Sequence, residues 1–181
     1  PLFFRSNSKP FYDKNGLGEN DGIMPKHFSS LSDPRLIELI LEGALGVIPT
    51  DTVYGLVAKA DLQKAVEKLY ATKPRDLPPG TMIGASTQQL EKIGFDRTQL
   101  RLVQHYWPAA LSVVLDGQEV QQYLKQSRTD LPVRIPDDPE LINVLQVTGP
   151  LMTTSANAPK MPTSTTVEMA MNYFGDDVDF Y

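Results

Sequence analysis

Four polar interruptions in largely apolar surroundings carry residue types able to do chemistry: Thr50–Thr52, Lys73–Arg75, Arg134 and Ser155–Thr163. In the first, the apolar run Gly46-Val47-Ile48 ends in Pro49-Thr50-Asp51-Thr52, and apolar residues resume after Gly55. Hydroxyls around a carboxylate at the end of a strand suit a polar substrate. Pro, Asp, Thr and Gly also favour turns, and taken alone the segment reads as a turn. Lys73 and Arg75 flank Pro74 and suit a polyphosphate, with Arg giving a bidentate fork and Lys a point charge. Alone, they read as two solvated surface charges. Arg134, between Val133 and Ile135, needs a partner in a buried setting. A substrate carboxylate and a structural aspartate serve equally well. Ser155-Ala156-Asn157, with Thr153, Thr154, Thr163 and Ser164 near it in sequence, supplies small neutral donors and acceptors.

Composition narrows the classes. A chain of 181 residues, 41% hydrophobic and 22% charged, fits one domain with a real core. Its net charge of −5 argues against a generally basic nucleic-acid surface. With no cysteine, thiol nucleophiles, thiolate metal sites and disulfides are excluded, which fits a reducing cytoplasm, the expected compartment. No window has the apolar length of a membrane span, and no secretory signal pattern stands at the N-terminus. His27 and His105 are the only histidines and lack metal-ligand spacing. Neither a phosphate loop of the G-x-x-x-x-G-K-[ST] type nor a strand-linked G-x-G-x-x-G is present.

Elements must bring these pieces together. Ser32 with Pro34 predicts a helix start and Gly43 its stop, with Leu36, Ile37, Ile40, Leu41 and Ala44 as the apolar stripe. Strands are expected over 45–48, 54–58, 82–85, 111–115, 133–135, 151–153 and 178–181. Asp61 is the expected cap of a second helix. Ser86-Thr-Gln-Gln89 and Thr165-Thr-Val-Glu168 read as capping boxes. Further helices are expected over 99–106, 120–125 and 138–146. Such alternation predicts an α/β fold around a largely buried, twisted sheet. Residues 1–23 read as an irregular extension and 24–181 as one domain.

The segments PTDTVYGL (49–56), K-x-R (73–75), WPAALSVVL (107–115), VRIPDDP (133–139), GPLMTTSAN (149–157) and PTSTT (162–166) together resemble the YrdC family, the threonylcarbamoyl-AMP synthases, in its short single-domain form. The resemblance implies a twisted sheet flanked by helices with a deep concave site. It also implies a reaction in which L-threonine, bicarbonate and ATP, carried with Mg2+, give threonylcarbamoyl-adenylate and pyrophosphate. A partner transferase then modifies adenosine 37 of tRNA, which could itself be a ligand. By the same resemblance Thr52, Arg134 and Thr153 hold threonine. Lys73, Arg75, Ser155, Asn157 and Thr163 serve ATP, with Lys73 and Arg75 as the catalytic cations. The chain departs from the family pattern at residues 76–81, at Ser112, at Ala158-Pro159-Lys160, and by ending where the family's last strands would begin. A non-catalytic RNA-binding relative of the same fold is the alternative.

Overall fold

The computed structural model describes residues 25–73 and 79–181, so the expected extension over 1–23 and Arg75 lie outside the described residues. Six strands form one sheet: β1 (Gly46–Ile48), β2 (Gly55–Lys59), β3 (Thr81–Ile83), β4 (Val113–Asp116), β5 (Asp130–Arg134) and β6 (Leu151–Ser155). Their order is β1-β2-β6-β3-β5-β4. Among the described strands β3 and β5 pair in parallel and the other four pairings are antiparallel. The expected mixed α/β class is thus present.

Among the described residues seven α-helices flank the sheet: α1 (Pro34–Glu42), α2 (Gln63–Thr72), α3 (Thr87–Ile93), α4 (Arg97–Val103), α5 (Gln122–Lys125), α6 (Pro139–Thr148) and α7 (Val167–Phe174). Strand alternation sends Val47, Leu56, Ala58, Met82, Val133 and Met152 into one core cluster, with Leu69 of α2 and Phe174 of α7. The other face packs Ile48, Val57, Ile83 and Leu151 against Leu36 and Ile40 of α1 and Leu141, Val144 and Leu145 of α6. Arg134 and Thr153 have the parity of this second face. The alternation therefore puts these two of the three candidate threonine-site residues on one side of the sheet.

Helix boundaries follow local chemistry, with three corrections. Asp33, not Ser32, caps α1, accepting from the Arg35 amide, while Ser32 Oγ donates to Glu140. Gly43 ends that helix at φ 90°, a left-handed conformation that costs glycine little. Leu62 stands at the N-cap of α2 with no side-chain bond, because Asp61 pairs with Lys59 instead. Thr166 caps α7 through the Met169 amide, one residue past the expected Thr165. Ser86 caps α3 as expected, but Gln89 does not close the box: its side chain bonds the Ala85 amide and the Leu145 carbonyl. In place of a last strand over 178–181, Phe180 makes isolated parallel bridges to Lys26 and Gly46.

Candidate functional site

Thr50 shapes the turn between β1 and β2. Its hydroxyl donates to the Val53 carbonyl at 2.6 Å and accepts from the amides of Thr52 and Val53, each at 3.3 Å. That closes a local side-chain turn. Thr50 and Thr52 hydroxyls lie 3.1 Å apart. Since the one Thr50 proton goes to Val53, Thr52 is the donor of this pair. Arg134 Nη2 also reaches Thr52 Oγ1, at 3.4 Å.

The partner that Arg134 requires is Asp51. Nη2 lies 3.0 Å from Asp51 Oδ1, and the two side chains are 9% and 3% exposed. Asp51 Oδ2 accepts from the Asp137 amide at 3.3 Å, so this carboxylate ties the β1–β2 turn to the segment after β5. Burial pushes the Arg134 guanidinium down from its ordinary value, and Asp51 partly offsets that. The two alternatives left open by the sequence are not exclusive: a structural aspartate is present, and one carboxylate leaves other guanidinium donors.

Thr153 is buried on β6. It touches this cluster through Gly55, where an added Cβ would stand 2.5 Å from Thr153 Oγ1 and 3.2 Å from Thr50 Cγ2. Glycine lets β2 carry the Thr50–Thr52 turn against the Thr153 hydroxyl. Gly55→Ala should therefore cost about 1–3 kcal/mol of stability through overpacking. It should also weaken binding of any ligand held between Thr52 and Thr153. Thermal melting and calorimetric titration check this, and an alanine variant unchanged in both would contradict the packing argument.

A second group forms where α2 ends. Lys73, 8% exposed, donates from Nζ to the Ser155 carbonyl at 2.7 Å, the Asn157 carbonyl at 2.6 Å and Asn157 Oδ1 at 3.2 Å. The Phe174 ring lies 5.9 Å from the ammonium. Desolvation pushes Lys73 down from 10.5 to about 8. Asn157 is tied into the loop: Oδ1 also accepts from Ser155 Oγ at 2.6 Å, and Nδ2 donates one of its two protons to the Met161 carbonyl at 2.8 Å. Buried Ser164 returns to Ala156 through its amide and hydroxyl, and the Tyr173 hydroxyl of α7 donates to the Pro162 carbonyl at 3.1 Å. Thr163 sits between these two anchor points. The 155–164 loop is thus held by its own Ser164–Ala156 bonds, by Tyr173 and by Lys73.

The structure brings together Thr52 and Arg134, places Thr153 beside their turn, and gathers Lys73, Ser155 and Asn157. Sequence reasoning did not single out Asp51 as the partner of Arg134, nor Gly55, Tyr173 or Phe174. Only the glycine inside PTDTVYGL carried a usable signal, since glycine in a strand marks a close approach. A groove of about 240 Å³ bounded by Gln88, Glu91, Arg97 and Arg101 of α3 and α4 contains none of the candidate residues. Among the described residues no helix is long and apolar enough to cross a membrane.

A family profile for Sua5, YciO and YrdC, described as telomere recombination, matches residues 38–181. A protein of Mycobacterium tuberculosis (strain CDC 1551 / Oshkosh) is 35% identical over 147 residues, covering 78% of this chain and 67% of that protein. The threonylcarbamoyl-AMP synthase of Marinobacter nauticus is 26% identical over 163 residues, covering 82% and 84%. Among solved structures, P. abyssi Sua5 in complex with L-threonine is similar at a TM-score of 0.72 and 25% identity, over 87% of this chain and 48% of that one. The chain therefore spans about half the length of that Sua5 protein.

Proposed function

The chain belongs to the Sua5/YciO/YrdC family, and from that membership we propose that it is an L-threonylcarbamoyladenylate synthase, a nucleotidyltransferase. The observation that carries the reading is the buried Arg134, within 3.4 Å of the Thr52 hydroxyl, on the sheet face that also carries Thr153. An arginine there can take the threonine carboxylate, and Thr52 and Thr153 can take its amine and hydroxyl. The likeness to a Sua5 protein solved with L-threonine supports this.

In the proposed reaction bicarbonate takes up a proton and loses water to give carbon dioxide; the threonine amine adds to its carbon, releases a proton and becomes a carbamate. A carbamate oxygen attacks the α-phosphorus of ATP, the bond to the β-phosphate oxygen breaks, and pyrophosphate leaves. Lys73 and Arg75 offset charge on the phosphates, and Mg2+ enters as the ion that ATP carries. Ser155, Asn157 and Thr163 frame the nucleotide, with Asn157 acting from inside its loop. Catalysis here is positioning and electrostatics. A downstream transferase would pass the product to tRNA.

Incubation with ATP, L-threonine and 13C-bicarbonate should give an adenylate of threonine that is one mass unit heavy by mass spectrometry. An adenylate without the label, or none, would contradict the proposal.

A further inference from the structure

The Asp51–Arg134 pair is buried yet incompletely satisfied. Asp51 Oδ1 lies 3.0 Å from Nη2 but off the N–H direction, so the contact is Coulombic rather than an aligned hydrogen bond. Asp51 Oδ1 and Arg134 Nε are both sealed from solvent without a hydrogen-bond partner among the described residues. Buried polar atoms are nearly always paired, and a buried ion pair with poor geometry does not repay its desolvation. A pair built only for stability would align its donors. Its nearest approach is at Nη2, a nitrogen that also contacts the Thr52 hydroxyl. On its far side the carboxylate is fixed by the Asp137 amide.

Resting on the threonine reading above, we propose that Asp51 is a positioning residue that acts through Arg134. It balances the buried cation while the site is empty, and it holds the guanidinium by one corner so that the remaining donors are left for the substrate carboxylate. Asp51 itself, 3% exposed, does not touch the substrate. Its carboxylate stays in place when threonine binds, and the arginine then serves two acceptors. A guanidinium has the donors for this, five N–H groups in a planar fork. This separates Asp51 from a general base, which has to reach the amine.

A double-mutant cycle on threonine affinity, read by calorimetry of the full chain, tests the inference. Asp51→Asn should weaken threonine binding at least about tenfold with Arg134 present, and less than about twofold in the Arg134→Ala background. ATP affinity should change less than about twofold in the single variant, because the nucleotide groups lie elsewhere; general loosening would lower both affinities. Equal losses in the two backgrounds, or a parallel loss of ATP binding, would overturn the role. Asp51→Glu keeps the charge but moves it by one methylene, so its threonine affinity should fall between wild type and Asp51→Asn. If the asparagine variant does not fold, the glutamate variant takes its place in the same cycle. A wild-type protein that binds no threonine at all would fail the functional reading itself. That result is distinct from normal threonine binding with an additive cycle, which fails the inference alone.

Discussion

Arg134→Ala should lower threonine affinity by about 100-fold and leave ATP affinity nearly unchanged. Truncating one partner of a buried, hydrogen-bonded charge pair costs about 2–5 kcal/mol, and each 1.4 kcal/mol is tenfold in a dissociation constant. The same substitution strands the Asp51 carboxylate, whose side chain is 3% exposed, without its cation. Breaking a buried pair from one side destabilises by about 3–5 kcal/mol. For a chain of this size the melting temperature should fall by roughly 10 °C. Arg134→Lys separates the two effects. The lysine keeps a charge beside Asp51 and recovers stability, but it lacks the planar fork and should recover only part of the affinity. Calorimetry and thermal melting read both quantities. Wild-type threonine affinity in the alanine variant would remove Arg134 from the site.

Lys73→Met should reduce pyrophosphate formation by about 100-fold or more, the usual cost of removing one preorganised electrostatic contact. Two consequences of the lysine add here. Its charge sits at the expected phosphate side, and its three hydrogen bonds hold the 155–164 loop to the end of α2. Loop contacts should loosen as well, which faster amide exchange of residues 155–164 would show. The pH dependence follows from burial, which brings Lys73 down to about 8 from 10.5. ATP affinity should fall as pH rises through about 8, approaching tenfold per unit above it, and Lys73→Arg should flatten that profile. Stability moves the other way. Between about 8 and 10.5 the unfolded chain holds the proton that the folded chain has released, so folding becomes more favourable as pH rises across that window. Below about 8 the cost of burying the charged ammonium is fully present. An ATP affinity that is flat from pH 7 to 9 would contradict the phosphate role.

Much of the fold was legible because its signals are local. The stop at Gly43 and the cap at Ser86 stand within one or two turns of the residues they serve, while the expected α1 stripe holds for Leu36, Ile40 and Ala44 but not for Leu41, which is exposed where Leu39 packs instead. Local signals also failed where a neighbour competed. Asp61 has the chemistry of a cap, yet Lys59 claims its carboxylate and α2 starts uncapped. Thr165 and Thr166 are chemically alike, and only the backbone path decides that Thr166 caps α7. The candidate site was legible in part for a related reason. A charge in the strand Val133-Arg134-Ile135 demanded a partner, so Arg134 announced itself. Its partner could not be named, because Asp51 in a turn looks like any turn aspartate until tertiary structure brings the two together. Asn157 reads as a ligand contact in sequence, whereas the folded loop spends its amide on Lys73, Ser155 and Met161. Phe174 packs in the core, and no local signal tells that its ring also approaches the Lys73 ammonium.

The most direct test of the account is pyrophosphate release from ATP by the purified chain, measured with each co-substrate omitted in turn. Release should require L-threonine and bicarbonate together, and it should collapse in Arg134→Ala at threonine concentrations that saturate the wild type. ATP turnover indifferent to threonine, or undiminished by loss of Arg134, would contradict the assignment of this site to threonine and of this chain to carbamate adenylation.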